Sequence, residues 1–397
     1  MVGEVLLWAE LGLAGLSLAP FAIHRASISS WAKDSLECPD EDSNMQITVI
    51  LPVWNESLII ESKLADLASQ SIDVDLLVID SASSDDTVKL VENWLADHPG
   101  AFLSSKLIRM EKRLGKTTAV MQALDELSDV EGIIVMTDAD ASIGKGSFER
   151  IRRWFSDATV GAVGGTPHRR GEIGAEITHR DMYTMIRLGE SAYDSTPFLE
   201  GSVLAWRAGA VSSVDLHATA NADDAQIATA VRLGGLRAIQ DSALIFTDHM
   251  PTTSKGQRRQ KVRRAQGIVR LLARKRGHWF SRRHGRYSTI LRRNAWMHLI
   301  SPLLMSGAAL TAMMRNVAGD QILWLTGIEI YCVVSWLLMR QGKSILGFQI
   351  TGTILSGMEN LLSAILMSAR GKSLHLWEQH TDVRNELAKN RSQEIGK

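Results

Sequence analysis

Residues 133–140 read Ile133-Ile134-Val135-Met136-Thr137-Asp138-Ala139-Asp140, an apolar run that ends abruptly in two carboxylates. Consecutive apolar residues without polar alternation describe a strand covered on both faces. Three similar runs precede it: Ile47-Thr48-Val49-Ile50-Leu51, Leu76-Leu77-Val78-Ile79-Asp80 and Lys106-Leu107-Ile108-Arg109. Between these runs, 57–69, 86–97 and 116–127 carry apolar residues at helical spacing. Strand–helix alternation of this kind predicts an α/β fold, a mostly parallel sheet with helices on both faces. Ligands of such sheets bind at the C-terminal ends of the strands, so the residues that close each run decide the chemistry.

After the first run comes Pro52-Val53-Trp54-Asn55-Glu56, with no GxGxxG, which disfavours a Rossmann dinucleotide site. Gly115-Lys116-Thr117-Thr118 has the ending of a P-loop, but Met110 stands where that loop needs its first glycine. The strand ends offer acid instead. Asp80 closes the second run, followed by Ser83, Asp85 and Thr87; Asp138 and Asp140 close the fourth. Two carboxylates one residue apart can share a hard divalent cation with a diphosphate. Chance pairing and helix capping also produce such pairs, and turn or cap duty is the competing reading for Asn55 and Asp85.

The chain has 397 residues, enough for two or three folded units, and 45% apolar against 22% charged composition excludes a disordered chain. Lys and Arg total 44, as do Asp and Glu, so a uniformly basic nucleic-acid binder is excluded. Two cysteines, Cys38 and Cys332, exclude a disulfide scaffold and a cysteine zinc site. The charge is unevenly spread. From His249 to Gly319 there is no Asp or Glu, and Lys255 to Arg293 is dense in arginine, with Trp279, Phe280 and Tyr287 interleaved. Directly before an apolar stretch, this composition fits helices lying on an anionic membrane surface better than nucleic-acid binding.

Four apolar stretches, 4–23, about 295–314, 321–339 and 345–369, have the length that a bilayer requires. Arg25 and Lys33 follow the first, which favours an N-terminus outside and a cytosolic continuation. Glu329 and Glu359 sit within the last two stretches and should face a partner helix, a cavity or a polar substrate. The expected organisation is a membrane helix (1–25), an acidic linker (26–45), a catalytic domain (46–254), basic interfacial helices (255–293), membrane helices (294–370) and a tail (371–397). Four full spans would place the tail outside, but the first stretch can instead lie on the membrane and the last partly in its interface, so the side of the tail stays open.

In order along 46–270, the motifs resemble those of the family 2 glycosyltransferases, enzymes with the GT-A fold. Pro52 to Glu56 is similar to P-x-x-N-E, and Asp80 to Thr87 to D-D-G-S-T-D-x-T with the second Asp and the Gly replaced. Gly115-Lys116 matches the GK pair, although Met121 replaces the usual Asn, and Asp138-Ala139-Asp140 matches the DxD. Asp223-Asp224 resembles the base motif, and Gln260 to Gly267 resembles Q-x-x-R-W with Arg264 in place of the tryptophan. Trp377 and the tail containing Arg384 look like the cytosolic ending of the membrane-bound members, the hyaluronan- and cellulose-synthase-like enzymes.

The resemblance implies a doubly wound mixed sheet flanked by transmembrane helices. It also implies an inverting transfer from a nucleotide-sugar donor, a UDP- or GDP-sugar, to a lipid-linked or glycan acceptor. The cofactor implied is a divalent cation, Mg²⁺ or Mn²⁺, held by Asp140 and Asp138, with His249 as a third ligand or else a hydrogen-bonded structural histidine. Asp80 would read the base, with Asn55, Glu56 and Lys116 lining the nucleotide pocket, and Gln260, Arg263 and Arg264 would serve the diphosphate. Asp224 would be the general base beside Asp223, its pKa depressed by helix N-terminal amides, with an N-cap as the alternative role. Loss of the tryptophan leans against a processive polysaccharide synthase. A catalytically silent membrane scaffold keeping the GT-A shape is the rival from another class.

Overall fold

A computed structural model describes residues 2–33, 36–169, 174–248, 254–343, 345–376 and 384. The chain divides into two compact units. One comprises Asp34–Gly171, Arg187–Gln257 and Ser373–Lys397; the other comprises Met1–Lys33, Glu172–Ile186 and Arg258–Lys372.

The first unit is built on an eight-stranded sheet. Its strands are β1 (Ile47–Val53), β2 (Asp75–Asp80), β3 (Ser104–Arg109), β4 (Ile133–Thr137), β5 (Ser142–Ile143), β6 (Val160–Arg169), β7 (Val203–Arg207) and β8 (Arg237–Asp248). The order is β3-β2-β1-β4-β7-β6-β8-β5. Strands β1 to β4 run parallel, so Val53, Asp80 and Thr137 all end on one edge of the sheet. β7 is antiparallel to both β4 and β6, which makes the sheet mixed. The physical cause of the central strands lies in their period of two. Val49, Leu51, Val78 and Val135 enter one apolar core, and Ile50, Leu77, Ile79 and Ile134 enter the core on the other face. Each such side chain contributes about 1.5–3 kcal/mol on burial, so a register slip of one residue would exchange the two cores.

Helices α2 (Ile60–Ala68), α3 (Thr87–Asp97) and α4 (Lys116–Glu126) connect the parallel strands where helical spacing predicted them. α5 (Ser147–Trp154) and α7 (Asp223–Leu233) complete the covering layers, and α6 (Gly174–Tyr193) runs from one unit into the other. α7 packs against β6 at Gly161, where an added Cβ would stand 2.6 Å from the Val231 Cγ1. The expected acidic linker is not a free tether in its described second half. Asp42 pairs with Arg152 at 2.8 Å and Asp40 with Arg153 at 2.7 Å, so its carboxylates pin it to α5.

The second unit is helical: α1 (Val2–Trp31), α8 (Ser254–Arg274), α9 (Gly285–Ala295), α10 (Ser301–Val317), α11 (Leu323–Arg340) and α12 (Gln349–Ala369). A π-helical turn, Trp296–Ile300, joins α9 to α10. Among the described residues, four segments are long and apolar enough to cross a membrane: Val2–Trp31, Arg282–Val317, Leu323–Arg340 and Gln349–Ala369. α1 therefore continues six residues into the region expected as linker. Reciprocal bonds clasp α1 to α10: Ser17 Oγ donates to the Ser301 carbonyl at 2.9 Å, and Ser301 Oγ to the Ser17 carbonyl at 2.8 Å.

Both carboxylates expected to need partners have them. Fully buried Arg315 pairs with Glu10 at 2.9 Å and with Glu329, which also accepts from Asn316 at 2.6 Å. Glu359 accepts from Trp336 Nε1 at 2.8 Å and pairs with Arg258. These are the pairings that an apolar surrounding demands of a charge.

Candidate active site

The residues that close β1, β2 and β4 meet at one end of the sheet and are joined there by the start of α7. Three non-glycine residues in this region have positive φ: Asn55 (54°), Ala82 (58°) and Ala222 (69°). Such conformations cost about 1–3 kcal/mol each and cluster at functional sites. Each lies in a turn that presents a neighbouring carboxylate: Asn55 precedes Glu56, Ala82 follows Asp80 by two, and Ala222 precedes Asp223.

The DxD forms a turn closed by a hydrogen bond from the Ala141 N–H to the Asp138 carbonyl at 3.2 Å. Lys116, the first residue of α4, reaches Asp138 Oδ1 at 2.6 Å and Asp223 at 3.4 Å. Its helix starts at Gly115 with φ 95°, and a Cβ there would stand 2.9 Å from the His375 carbonyl. Asp138 also accepts from Ser202 Oγ at 3.2 Å. Burial alone would lower the Lys116 pKa, but the Asp138, Asp223 and Asp224 carboxylates outweigh it and raise it, so the ammonium is held charged.

Asp223 and Asp224 open α7, and Ala222 holds the N-cap position, so neither aspartate is the cap. Asp224 accepts from the Ala225 N–H at 2.7 Å. The expected depression of its pKa is not found. Burial first, and the Asp223 charge second, push it up to about 7 against the opposing pull of Lys116 and of the helix amide. A single amide and one ammonium shared among three carboxylates do not compensate for desolvation. The result is a carboxylate whose protonation changes near neutral pH, as a general base requires.

Glu56 is 1% exposed and forms a two-pronged pair with Arg384, at 2.9 and 2.7 Å. The same guanidinium reaches Asp140 at 3.0 Å. Burial raises the Glu56 pKa to about 7; Arg384 opposes this, and the charges of Asp140 and Asp138 reinforce it. The position between Glu56 and Asp140 thus already holds a positive charge. The oxygen donors of Asp138 and Asp140 are of the type that a hard cation takes, so the residue chemistry fits one. Among the described residues, no three His, Cys, Asp or Glu side chains form a ready-made metal cage. A cation here would therefore need further oxygen ligands, from water or from a diphosphate.

Asp80 is buried, and both its oxygens accept from the Ser83 N–H, at 3.1 and 3.3 Å. Asn55 is occupied as a turn residue: its Oδ1 accepts from the Ser84 N–H at 2.8 Å, and its own N–H donates to Ser83 Oγ at 2.8 Å. Asp85 does similar work, accepting from the Ser57 N–H at 3.2 Å and the Thr87 N–H at 3.0 Å. Burial would raise the Asp85 pKa, but the hydrogen bonds from Thr87 and Ser57 hold it below its ordinary value. For these two residues the turn reading is the one with contacts behind it.

Gln260, Arg263 and Arg264 lie on α8, in the helical unit rather than the unit that holds the carboxylates. His249 and Trp377 fall outside the described residues. Two participants were missed from sequence. Arg384 lies 328 positions from Glu56, and nothing local marks it as a site residue. Lys63 is fully buried beneath the DxD turn, donating to Thr137 Oγ1 at 3.0 Å and to the Ala141 carbonyl at 2.7 Å. Its one available signal was a lysine on the apolar face that Ile60, Leu64 and Leu67 define.

Two family models match the chain: Glycosyl transferase family 2 over residues 48–211 and Glycosyl transferase family group 2 over residues 133–340. No curated protein sequence matches it. Among solved structures, it is similar to the mannosyltransferase PcManGT from Pyrobaculum calidifontis, solved in complex with GDP-Man and Mn²⁺. Identity is 25% and the TM-score 0.72, over 94% of this chain and 99% of the other. A weaker likeness is to S. aureus TarS 1–349 in complex with UDP-GlcNAc, at 14% identity and a TM-score of 0.42, over 83% of this chain and 93% of that one. With its motifs in order on a GT-A sheet, this chain belongs to glycosyl transferase family group 2 and is a glycosyltransferase.

Proposed function

We propose that the protein is a membrane-bound, inverting glycosyltransferase that takes its sugar from a cytosolic nucleoside diphosphate sugar and passes it to a lipid-linked or glycan acceptor. One observation carries this reading: Asp138, Asp223 and Asp224 converge on the Lys116 ammonium at the carboxyl ends of the strands. The donor class is supported by the similar mannosyltransferase, which is in complex with GDP-Man; a GDP- or UDP-sugar is therefore the first donor to try.

Transfer breaks the bond from the anomeric carbon to the diphosphate and forms one to the acceptor oxygen, whose proton must leave. Asp224 takes that proton; its pKa of about 7 lets it be ionised before the reaction and protonated after it. Asp223 and Lys116 set this balance, one raising and the other lowering the proton affinity of Asp224. Asp138 and Asp140 would hold a divalent cation, which supplies charge neutralisation to the departing diphosphate. The Mn²⁺ of the similar mannosyltransferase supports that choice. Asp80 is assigned to the base, and Gln260, Arg263 and Arg264 to the diphosphate, on motif grounds alone.

Membrane attachment rests on the four apolar helices, and a cytosolic catalytic domain on the arginine-rich, acid-free stretch that precedes the second of them. The same stretch supports contact with anionic lipids and a lipid-borne acceptor. Arg264 in place of tryptophan favours transfer of single sugars over polymer synthesis. The test is a panel of nucleotide sugars offered to the purified protein in lipid nanodiscs, scored for Mg²⁺- or Mn²⁺-dependent release of the nucleoside diphosphate. One donor should stand out, and Asp224→Asn should bind it without turnover. Turnover that survives in this variant removes Asp224 as the base.

A further inference from the structure

Lys63 has no place in the chemistry just described, yet its surroundings are unusual for a lysine. It is 0% exposed, on the face of α2 whose other members, Ile60, Leu64 and Leu67, enter the apolar core. A buried ammonium costs several kcal/mol unless its hydrogen bonds are met. A methionine would fill such a position without that cost, so the charge calls for a role beyond packing.

Two acceptors of Lys63 flank a single feature. Thr137 Oγ1, at 3.0 Å, lies one residue before Asp138, and the Ala141 carbonyl, at 2.7 Å, lies one residue after Asp140. One turn along α2, Asp66 pairs with Lys63 at 3.4 Å. Asp66 also accepts from Ser142 Oγ and from the Ile143 N–H, each at 3.1 Å. The Asp138-Ala139-Asp140 turn is thus tied to α2 at both ends, while its carboxylates pair with Lys116 and Arg384.

We propose that Lys63, seconded by Asp66, is the positioning residue of the cation site, fixing the spacing and direction of the Asp138 and Asp140 carboxylates. This deepens the metal-dependent reading above and rests on it. Divalent oxygen sites depend on ligand direction, and loss of an outer-shell partner commonly costs 10–100-fold in affinity. Lys63 does so through backbone and hydroxyl acceptors, without touching the cation or the sugar.

The experiment is Mn²⁺ binding, followed by the electron paramagnetic resonance of the free ion, to the full-length protein in nanodiscs. Wild type is compared with Lys63→Met, Lys63→Arg and Asp66→Asn, each checked for folding by thermal denaturation. The expected result is at least a tenfold rise in the Mn²⁺ Kd for Lys63→Met, partial recovery in Lys63→Arg, and an intermediate value for Asp66→Asn. Donor KM at fixed Mn²⁺ should rise more than kcat falls. A merely structural lysine would lower Tm and leave the Kd of the folded protein within twofold of wild type, which overturns the proposal. Should Lys63→Met not fold, Asp66→Asn decides by the same criterion. Wild type that binds no Mn²⁺ beyond a protein-free control, with GDP or UDP added as well as without, removes the metal-dependent reading itself, a result distinct from equal binding by wild type and variant.

Discussion

Replacing Asp224 with Asn should abolish transfer and, above neutral pH, make the protein more stable. In the folded state burial and Asp223 raise the Asp224 pKa from 3.8 to about 7. Below pH 3.8 the carboxyl is protonated in folded and unfolded chains alike and costs nothing. Between the two values the folded state must hold a proton that the unfolded state has released, and the cost grows by about 1.4 kcal/mol per pH unit. Above pH 7 the cost is complete, at most about 4 kcal/mol for a rise of this size. Relaxation and water entry around a buried carboxylate reduce such a cost, so about half of that is expected in practice.

Asparagine carries no charge at any pH, and its gain over wild type should therefore be small at pH 5 and largest at pH 8.5. About 2 kcal/mol corresponds to a Tm difference of roughly 4–8 °C for a domain of this size. Thermal denaturation of the purified protein at the two pH values measures it. A Tm difference that does not change with pH would refute the argument that Asp224 is held ionised against its environment. Asp223→Asn gives an internal check: with the second cause of the raised pKa gone, the acidic limb of the kcat/KM profile should move to lower pH.

Arg384→Gln removes the guanidinium held between Glu56 and Asp140, and Mn²⁺ binding to the donor-free protein should tighten by about tenfold, as read by calorimetry. Weaker binding in this variant would mean that the guanidinium supports the site instead of competing with the cation. In the helical unit, Arg315→Leu leaves Glu10 and Glu329 without their shared partner and should destabilise the protein by about 3–5 kcal/mol, with Tm in detergent as the readout. Simultaneous replacement of Arg315, Glu10 and Glu329 by apolar residues should recover most of that loss, because the penalty lies in the unpaired charge.

Strands β1, β2 and β4 and their connecting helices were legible because burial on both faces leaves a continuous apolar signature in the chain, whereas β3, expected to be a similar run, is an edge strand with Ser104 to Lys106 exposed. The acids at Asp80, Asp138, Asp140, Asp223 and Asp224 were legible too, because each stands immediately beyond an apolar run or at a helix start. Other features left no such mark. Asn55 and Asp85 could serve nucleotide or turn equally well until their hydrogen bonds to Ser84, Ser57 and Thr87 were known. Glu329 and Glu359 announced a need for partners, but which arginine answers, Arg315 from the preceding helix or Arg258 from 101 positions away, is settled only by packing.

What the sequence by itself determined is the class of molecule: an α/β sheet with acid at its strand ends, apolar helices before and after it in the chain, and a motif order shared with family 2 glycosyltransferases. Such properties follow from local periodicity and from residue types at fixed offsets. Tertiary structure alone decided the proton affinity of Asp224, the place of Arg384 against Glu56 and Asp140, and the burial of Lys63 under the DxD turn. Desolvation and charge pairing depend on distances between segments tens to hundreds of residues apart, and those distances exist only once the chain has folded.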